Sequence, residues 1–399
     1  MSDFTMSLPQ DVKFIIDRLE ACSHSANVVG GAVRDSLLCR PLGDFDITTD
    51  ATPERIKEVF SDLKTVDTGI KHGTVTVVIG HVPYEITTYR IDGDYKDNRH
   101  PESVTFTRSL AEDLKRRDFT VNAMAYNPRE GLTDLFFGVE DARAGLIRAV
   151  GDARVRFDED ALRILRGLRF ASVLGFSIEE STARAIREKA ELLKGVSGER
   201  IYQELKKLLM GVSASEILLG FSDVLTVALD GVRVEKYPID EKIRNASFAT
   251  RLALVFLLNA QSPTEAAERA FERLKADNLT RYATKNALIA YDNVDFRSNS
   301  TLLHSLRRFG YDAVFGALSI GLVTGRFSYL DQNKLAFVMN SDPVYEVSHL
   351  DISGRDLSAL GCRGKEIGNM LDSLLNAVID GECRNERDAL ICLAKRLLK

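Results

Sequence analysis

The hydrophobic positions in the first third of the chain change their spacing several times. Residues 8–22 carry apolar side chains at helical spacing, which predicts an opening helix. Residues 73–79 and 84–90 alternate between apolar and polar side chains, which predicts a β-hairpin. Further strands are predicted at 132–137 and 146–150. Residues 1–150 are therefore expected to mix helices and strands.

Beyond residue 150 the helical spacing continues with few alternating stretches. Residues 157–174 are the first example of it. The turn-rich segments 195–198 and 231–245 are candidate breaks between groups of helices. The whole chain is therefore predicted to be α+β, with a mixed N-terminal part followed by an all-helical part.

The first candidate for chemistry lies at residues 28–50, which predict a strand, a Gly-Gly turn, a helix, a Pro-Gly turn and a second strand. The second strand is expected to carry Asp44 and Asp46 on one face, because side chains two positions apart on a strand point the same way. Adjacent carboxylates repel each other unless a divalent cation neutralises them. The glycines leave backbone N–H groups open to a phosphate. The pattern favours metal-assisted phosphoryl or nucleotidyl transfer, while such an aspartate pair also occurs in ordinary turns. Glu85, in the second arm of the hairpin, is either a third carboxylate of this site or an outward polar residue.

The second candidate is the predicted helix over 157–172. Asp160 and Arg163 are three positions apart and would share a face, which Arg166 and Arg169 continue. One interpretation is an exposed ion pair worth about 0.2–0.5 kcal/mol. In the other, the carboxylate accepts from the amino group of cytosine or adenine while the guanidinium donates to a ring nitrogen or carbonyl. The carbonyl oxygens of uracil and guanine would be repelled, so the pair would select C and A.

Composition narrows the class of protein. The 399-residue chain has a formal net charge of −5, so no strong overall field indicates a nucleic-acid partner. Its five scattered cysteines favour reduced thiols over a disulfide framework or a zinc site. The first ten residues lack the features of a secretion signal, and the longest apolar run, 252–258, is too short to span a bilayer. These features predict a soluble, cytoplasmic protein with no membrane association.

Four segments, in order along the chain, resemble the motifs of the class II tRNA nucleotidyltransferases, the CCA-adding enzymes of the polymerase-β-like nucleotidyltransferase superfamily. The first motif is matched by GGAVRD and GDFDITTD, and the second by RRDFTVNAMAYN. The nucleotide-templating helix is matched by DEDALRILRGLRF, and the neck motif by SGERIYQELKKLL. The resemblance extends over residues 25–210, with weaker similarity near SGRDLSALG in the tail.

The resemblance implies that the chain adds the 3′-terminal CCA sequence to tRNA from CTP and ATP, releasing pyrophosphate and using no nucleic-acid template. Asp44 and Asp46 would be catalytic and would bind Mg²⁺. The implied partners are the 3′ acceptor end of tRNA and the two nucleotides, with no obligate protein partner. The implied nucleotide-binding residues are Gly30, Gly31, Arg34, Arg117, Asp118, Asn122, Asp160, Arg163, Arg166 and Arg169.

Several of these residues have a more specific implied role. Gly31 and Arg34 would contact the phosphates of the nucleotide. Arg117 and Asp118 would lie at its sugar, with Asp118 accepting a hydrogen bond from the 2′-hydroxyl. Asp160 and Arg163 would act as the protein template for the base, with Glu159 orienting Arg163.

The resemblance also implies a division into a nucleotidyltransferase head (1–150), a helical neck (151–212), a helical body (213–328) and a helical, tRNA-binding tail (329–399). The polar segment 92–106 corresponds to a loop that the family needs for the ATP step, so it favours complete CCA addition. An A-adding tRNA nucleotidyltransferase shares this loop and the templating residues and stays an alternative. A bacterial poly(A) polymerase shares the head and neck, but typically carries a Gly-Arg-Arg-Phe-like signature where this chain has GIKHGTVTVVIG.

Overall fold

The computed structural model describes residues 4–93, 104–238 and 243–398. The chain forms two compact units, one of residues 1–234 with 273–275 and the other of residues 235–272 with 276–399. The predicted four-part division at residues 150, 212 and 328 stays a prediction. In the part of the chain that is described, no helix combines the length and the apolar character needed to cross a membrane.

The first unit is built on a mixed β-sheet. The described strands are β1 (Ala26–Val29), β2 (Asp46–Thr49), β3 (Lys64–Gly69), β4 (Thr74–Ile79), β5 (Val82–Thr88), β6 (Arg90–Asp92), β7 (Val104–Phe106), β8 (Met124–Asn127), β9 (Gly131–Asp134), β10 (Leu146–Ile147) and β11 (Ser177–Ile178). Seven of them form one sheet in the order β3-β4-β5-β2-β1-β8-β9. Within it β2 and β5 run parallel, and the other neighbours are antiparallel.

Helices flank this sheet, and the described elements after β11 are all helical. Those of the first unit are α1 (Gln10–Ala21), α2 (Gly31–Leu37), α3 (Pro53–Val59), α4 (Leu110–Lys115), α5 (Gly138–Ala144), α6 (Ala153–Glu159), α7 (Leu162–Leu174), α8 (Glu180–Glu188), α9 (Gly198–Leu209), α10 (Ala214–Gly220) and α11 (Ser222–Ala228). Beyond them lie α12 (Phe248–Asn259), α13 (Pro263–Leu274), α14 (Asn278–Asn293), α15 (Asn299–Phe309), α16 (Tyr311–Thr324), α17 (Tyr329–Met339), α18 (Gly354–Ala359), α19 (Lys365–Ile379) and α20 (Arg387–Leu397). The predicted α+β class is confirmed.

The two faces of β2 separate the core from the candidate site. Ile47 is buried and packs with Val28 of β1, Ile86 of β5 and the apolar face of α1. Burying each such aliphatic side chain stabilises the fold by about 1.5–3 kcal/mol. Because successive strand residues point to opposite faces, Asp46 and Thr48 lie on the other side of the sheet. That side carries the candidate chemistry.

The predicted opening helix and hairpin are confirmed as α1 and the β4–β5 pair, whose register runs from Thr74↔Thr87 to Ile79↔Val82. The edge strand β3 was not predicted, because its sequence KTVDTG is too polar to alternate. The strand expected at 132–137 ends at Asp134. The Asp134 carboxylate accepts hydrogen bonds from the backbone N–H groups of Phe136, Gly138 and Val139, which turns the chain into α5.

Two predictions about the position of aspartates were wrong. Asp44 does not lie on the second strand, because β2 begins at Asp46 and Asp44 lies in the preceding loop. The helix predicted over 157–174 is interrupted at Asp160, which has extended backbone angles (φ −137°, ψ 103°) between α6 and α7.

The region beyond residue 150, predicted to be all-helical, also contains the two-residue strand β11, which pairs with β10.

The polar segment 92–106 begins and ends in a small ribbon. Strands β6 and β7 pair antiparallel from Arg90↔Phe106 to Asp92↔Val104. The remainder of the predicted loop, including Tyr95, Asp97 and Arg99, lies outside the described residues. The ribbon brings the two described ends of the segment, Asp92 and Val104, next to each other.

Candidate active site

A cleft of about 420 Å³ opens in the first unit, within the size range of small-molecule sites. Its walls come from the start of α2, the start of β2, the segment after α4, the break between α6 and α7, α7 itself and the first turn of α9. Eleven of the twelve predicted site residues line it, and the exception is Asp44. The lining residues are Gly30, Gly31, Arg34, Asp46, Arg116, Arg117, Asp118, Asn122, Asp160, Leu162, Arg163, Arg166, Arg169, Phe170 and Arg200.

Gly30 forms the turn that brings the backbone close to the cleft. It has φ 73° and ψ −132°, a conformation that side-chain-bearing residues rarely adopt. A Cβ atom at this position would lie 3.4 Å from Arg117 Nη1 and 3.9 Å from Asp46 Oδ2. Glycine at this position therefore leaves open the space between the Arg117 guanidinium and the Asp46 carboxylate.

Arg34 is the buried guanidinium of α2. Its Nη1 donates to Asn122 Oδ1 at 2.5 Å, and its Nε and Nη2 donate to Asp35, both at 3.0 Å. The guanidinium also lies over the Phe170 ring, 5.4 Å from its centroid. These contacts fix the orientation of Arg34 before any ligand binds.

Asp46 is the acidic end of β2 and lies at the edge of the cleft. The pKa of its carboxyl is raised, mainly because the group is partly removed from water. Arg117 opposes this shift, and the neighbouring Asp44 adds to it. Glu85 precedes Ile86, which pairs with Ile47, so its side chain is on the same sheet face as that of Asp46. Within residues 4–93, 104–238 and 243–398, however, no cluster of three or more His, Cys, Asp or Glu side chains is arranged to hold a metal.

This carboxylate pair fits a cation of the Mg²⁺ type. Mg²⁺ is commonly held by one or two carboxylates together with water and substrate phosphates, and it seldom has an all-protein cage. The electrostatic cost carried by Asp46 next to Asp44 would be relieved by a cation at this position. Asp44 and Asp46 would therefore supply only part of the ligands of the cation, and phosphate oxygens of the substrate would supply others.

The segment after α4 supplies two arginines that share one buried carboxylate. Asp113 is 0% exposed and accepts from Arg116 Nε and Nη2 at 3.0 and 2.7 Å, and from Arg117 Nη2 at 3.3 Å. Burial alone would raise the pKa of the Asp113 carboxyl, but Arg116 and then Arg117 lower it overall. Thr48 Oγ1, from the site face of β2, donates to the same carboxylate at 3.3 Å.

Asp118 lies deeper in the cleft and is held by Arg166. Arg166 Nε and Nη2 lie 2.7 and 2.6 Å from Asp118 Oδ2. Asp118 Oδ1 accepts from the Phe119 N–H at 2.8 Å and from Asn122 Nδ2 at 3.3 Å. Arg166 is therefore already paired with a carboxylate of the cleft.

Arg169 completes the stripe on α7. It donates to Glu204 Oε2 of α9 at 2.6 Å, and its guanidinium lies 3.7 Å from the centroid of the Phe170 ring. Burial lowers the pKa of Arg169, and the neighbouring Glu204 opposes that shift. A guanidinium held between a carboxylate and an aromatic face is a fixed positive charge.

Asp160 and Arg163, the predicted base-reading pair, bond to different partners. Asp160 accepts from Arg200 Nη2 at 2.9 and 3.2 Å, and from the Leu162 N–H at 3.1 Å. Arg163 donates to Glu159 at 2.5 Å and to the carbonyl oxygens of Arg156 and Arg116 at 3.2 and 3.0 Å. The structure thus confirms the Glu159–Arg163 contact and pairs Asp160 with Arg200.

Sequence reasoning missed several residues of this site. Arg116 and Phe170 line the cleft, Asp113 and Glu204 hold its arginines, and Arg200 bonds to Asp160. Both Arg200 and Glu204 belong to the segment SGERIYQELKKLL, which was singled out only as a neck motif. Helical spacing places them four apart on one face of α9, which was the available signal.

Seven arginines and three aspartates line the cleft, so its lining has a formal charge of +4. An arginine-rich cleft of this size suits a phosphate-bearing ligand, because guanidinium groups bind phosphate oxygens in a fixed fork geometry. The adjacent carboxylates Asp44 and Asp46 would suit a divalent cation bound together with such a ligand. The arrangement can bind a nucleoside triphosphate and support transfer at one of its phosphates.

Comparison with protein-family models gives the class of this protein. The poly A polymerase head domain matches residues 26–148, and the probable RNA and SrmB-binding site of polymerase A matches residues 175–220. The putative tRNA nucleotidyltransferase domain 2 matches residues 248–394. Together with the mixed sheet and the cleft, these matches define a nucleotidyltransferase with a head domain of the poly A polymerase type.

Full-length comparisons are more specific. The chain is 37% identical over 396 residues to the CCA-adding enzyme of Leuconostoc mesenteroides, covering 97% of both chains. It is 38% identical over 397 residues to that of Enterococcus faecalis, covering 96% of this chain and 94% of the other. The crystal structure of the Bacillus stearothermophilus CCA-adding enzyme in complex with CTP matches with a TM-score of 0.78 and 32% identity, covering 98% of this chain and 97% of that one. The chain belongs to the family of CCA-adding enzymes, and the predicted resemblance is confirmed.

Proposed function

We propose that this protein adds cytidine, cytidine and adenosine in turn to the 3′ acceptor end of tRNA, using CTP and ATP and releasing pyrophosphate. The observation that carries the proposal is that eleven of the twelve predicted site residues line a single cleft. Membership of the CCA-adding family supports it over its two rivals, an A-adding tRNA nucleotidyltransferase and a bacterial poly(A) polymerase. The cytoplasm, where tRNA is matured, is the proposed site of action.

Enzymes of this family are generally metal-dependent, and we propose Mg²⁺ as the metal, held by Asp44 and Asp46. When bound, it would favour ionisation of the attacking 3′-hydroxyl and offset charge at the α-phosphate. Arg117 and Asp46 both lie next to the Gly30 turn, so Arg117 would bind the reacting phosphate there. The 3′ end of the tRNA would approach from the open side of the cleft.

The remaining contacts follow from the position of each side chain. Arg34, fixed by Asp35 and Asn122, would bind the phosphates beside the Gly30–Gly31 turn. Arg117 has a buried Nε without a hydrogen-bond partner and would donate it to the nucleotide. Asp118 is already engaged by Arg166, so it would accept the 2′-hydroxyl through a remaining lone pair.

Base choice is proposed to lie at the break between α6 and α7. Asp160 would accept from the amino group that cytosine and adenine share, and Arg163, held by Glu159, would be the donor beside it. The division into head, neck, body and tail is proposed with the boundaries given above, and the tail would hold the tRNA. All of these residue roles are testable one at a time.

The test is incorporation into tRNA that lacks one, two or three 3′-terminal nucleotides, with Mg²⁺ and one nucleotide at a time. We expect two additions from CTP, one from ATP, and then no further extension. Adenosine addition only to tRNA ending in CC would indicate the A-adding enzyme, and long A-tails would indicate the poly(A) polymerase. Asp46→Asn should abolish transfer, whereas Asp67→Asn, at an exposed ion pair with Lys57, should not.

A further inference from the structure

Phe170 lines the cleft but is not among the residues expected to bind the nucleotide. It belongs to α7 and is 7% exposed. Its ring packs edge to face with the buried ring of Phe119, with the centroids 5.9 Å apart and the planes at 76°. Aromatic pairs favour this geometry, so the orientation of the Phe170 ring is set by its packing in the core.

Three guanidinium groups lie over this one ring. The distance from Cζ to the ring centroid is 3.7 Å for Arg169, 5.4 Å for Arg34 and 5.5 Å for Arg166. Arg166 precedes Phe170 by one turn of α7, whereas Arg34 comes from α2. The ring therefore brings together positive charges from two helices that border the cleft.

The three arginines repel one another at this distance. Burial lowers the pKa of Arg169, Glu204 opposes the shift, and the positive charge of Arg166 adds to it. Each arginine also bonds to a carboxylate of its own: Arg34 to Asp35, Arg166 to Asp118, and Arg169 to Glu204. Each carboxylate thus orients one arginine, while the Phe170 ring is in contact with all three.

A contact through the π face differs chemically from a contact with a carboxylate. The negative face of an aromatic ring attracts a cation without accepting a hydrogen bond from it in the usual sense. A guanidinium carries five N–H donors, and those that are not bonded to a carboxylate stay available to phosphate oxygens. The ring can therefore hold the arginines together without using the donors that a nucleotide needs.

We propose that Phe170 is a positioning residue whose π face holds the guanidinium groups of Arg34, Arg166 and Arg169 in the arrangement that receives the nucleotide. The inference rests on the proposed function for the identity of the ligand, and extends it to a residue that acts through others. Without the π face the three cations would move apart, and the ligand would have to order them again. Ordering a long side chain weakens binding by roughly two- to tenfold for each group.

The experiment varies the charge of the π face and keeps the shape of the ring. Phe170 is replaced by phenylalanine that carries one, two or three fluorine atoms on the ring, because fluorine withdraws electrons from the face. The Kd of CTP and that of inorganic tripolyphosphate are measured by titration calorimetry with Mg²⁺ and without tRNA. Both Kd values should rise stepwise with the number of fluorine atoms, reaching about tenfold with three. Tripolyphosphate should show the effect because the ring acts on the arginines and not on the base.

Two further proteins complete the comparison. Phe170→Leu keeps an apolar side chain without a π face and should weaken both ligands at least as much as three fluorine atoms. The matched control is the same fluorine series at Phe256, which is 0% exposed and packs edge to face with Phe271 in the second unit. It should leave both Kd values unchanged, which separates the effect on the arginines from the effect of fluorine on a buried aromatic pair.

Two outcomes would overturn the inference. If the fluorinated proteins lose thermal stability while both Kd values stay within about twofold of the wild type, Phe170 supports only the fold. If Phe170→Leu weakens binding and the fluorine series does not, the shape of the ring matters and its charge does not. Failure of the proposed function is distinct, because the chain would then not add C and A to tRNA, while the affinities measured without tRNA would still follow the number of fluorine atoms.

Discussion

Asp118 offers a quantitative test of how the cleft balances its buried charges. Its side chain is 8% exposed and bonds to Arg166, to the Phe119 N–H and to Asn122. Burial alone would raise the pKa of this carboxyl, but Arg166 and the hydrogen bonds lower it to about 2. We expect Asp118→Asn, which removes the charge with little change in shape, to destabilise the fold in a pH-dependent way.

The size of the expected loss of stability follows from the lowered pKa of Asp118. A carboxyl pKa lowered from 3.8 to about 2 corresponds to about 2 kcal/mol of stability. Because the folded-state pKa lies below the unfolded one, this stabilisation is fully present above the unfolded pKa of about 4 and is lost as the pH falls through the folded value. Breaking a buried ion pair costs about 3–5 kcal/mol. Since Arg166 is 36% exposed, we expect about 3 kcal/mol at neutral pH, at the lower end of that range.

The assay is urea unfolding of wild-type and Asp118→Asn protein, followed by circular dichroism at about 222 nm because the chain contains no tryptophan. The difference in free energy of unfolding should be constant from neutral pH to about pH 5 and should narrow by about 1 kcal/mol by about pH 3. Asp67→Asn, at an exposed pair, should show neither the loss nor the pH dependence. A difference that is the same at all pH values would refute the role of the Asp118 charge.

Three further predictions concern the loop, the template and the buried carboxylate beneath the arginines. Removing residues 93–104 should spare the two cytidine additions and abolish the terminal adenosine; equal loss of both steps, measured on the three tRNA substrates, would contradict it. Asp160→Ala should relax the choice of base more than it weakens phosphate binding, and unchanged selectivity for C and A in single-nucleotide assays would rule out its templating role. Asp113→Asn should cost about 3 kcal/mol, since it leaves Arg116 and Arg117 without their shared partner, and should lower the Tm by about 6–12 °C in thermal unfolding. A Tm within about 2 °C of the wild type would show that another group balances these arginines.

The sequence was sufficient where one local rule decides the structure. Apolar spacing predicted α1 and the β4–β5 hairpin, because each buries a continuous face. It failed for β3, which is a polar edge strand and pairs on one side only. It also failed at Asp160, because the sequence around the break continues the helical pattern and only the local backbone shows the extended residue.

Eleven of the residues that line the candidate cleft could be predicted from the sequence, but their pairings could not. Asp160 and Arg163 were expected to act together because they are three apart, yet Asp160 bonds to Arg200, forty positions further on. Asp118 and Arg166 are similarly far apart in the sequence and in direct contact in the fold. Such pairs depend on how α7 packs against its neighbours, which periodicity within one helix cannot reveal.

These long-range pairs determine how the cleft can receive a nucleotide. Each of the seven arginines that line it bonds to a carboxylate in the structure, so its guanidinium is oriented in advance. Orientation in advance removes the cost of ordering these long side chains when the ligand binds. Counting those partners together with Asp46 gives seven carboxylates, so seven positive and seven negative charges sum to zero; the carboxylates are Asp35, Asp46, Asp113, Asp118, Glu159, Asp160 and Glu204.

Because each arginine of the cleft is already paired with a carboxylate, a triphosphate would gain from a further positive charge. The edge of the cleft is acidic at Asp44 and Asp46, and it is there that the pKa of a carboxyl is raised by its surroundings. A divalent cation that arrives with the nucleotide would neutralise both the phosphates and this edge. The same cation would therefore serve binding as well as chemistry, and the arginines would serve mainly to fix where the sugar, phosphates and base lie.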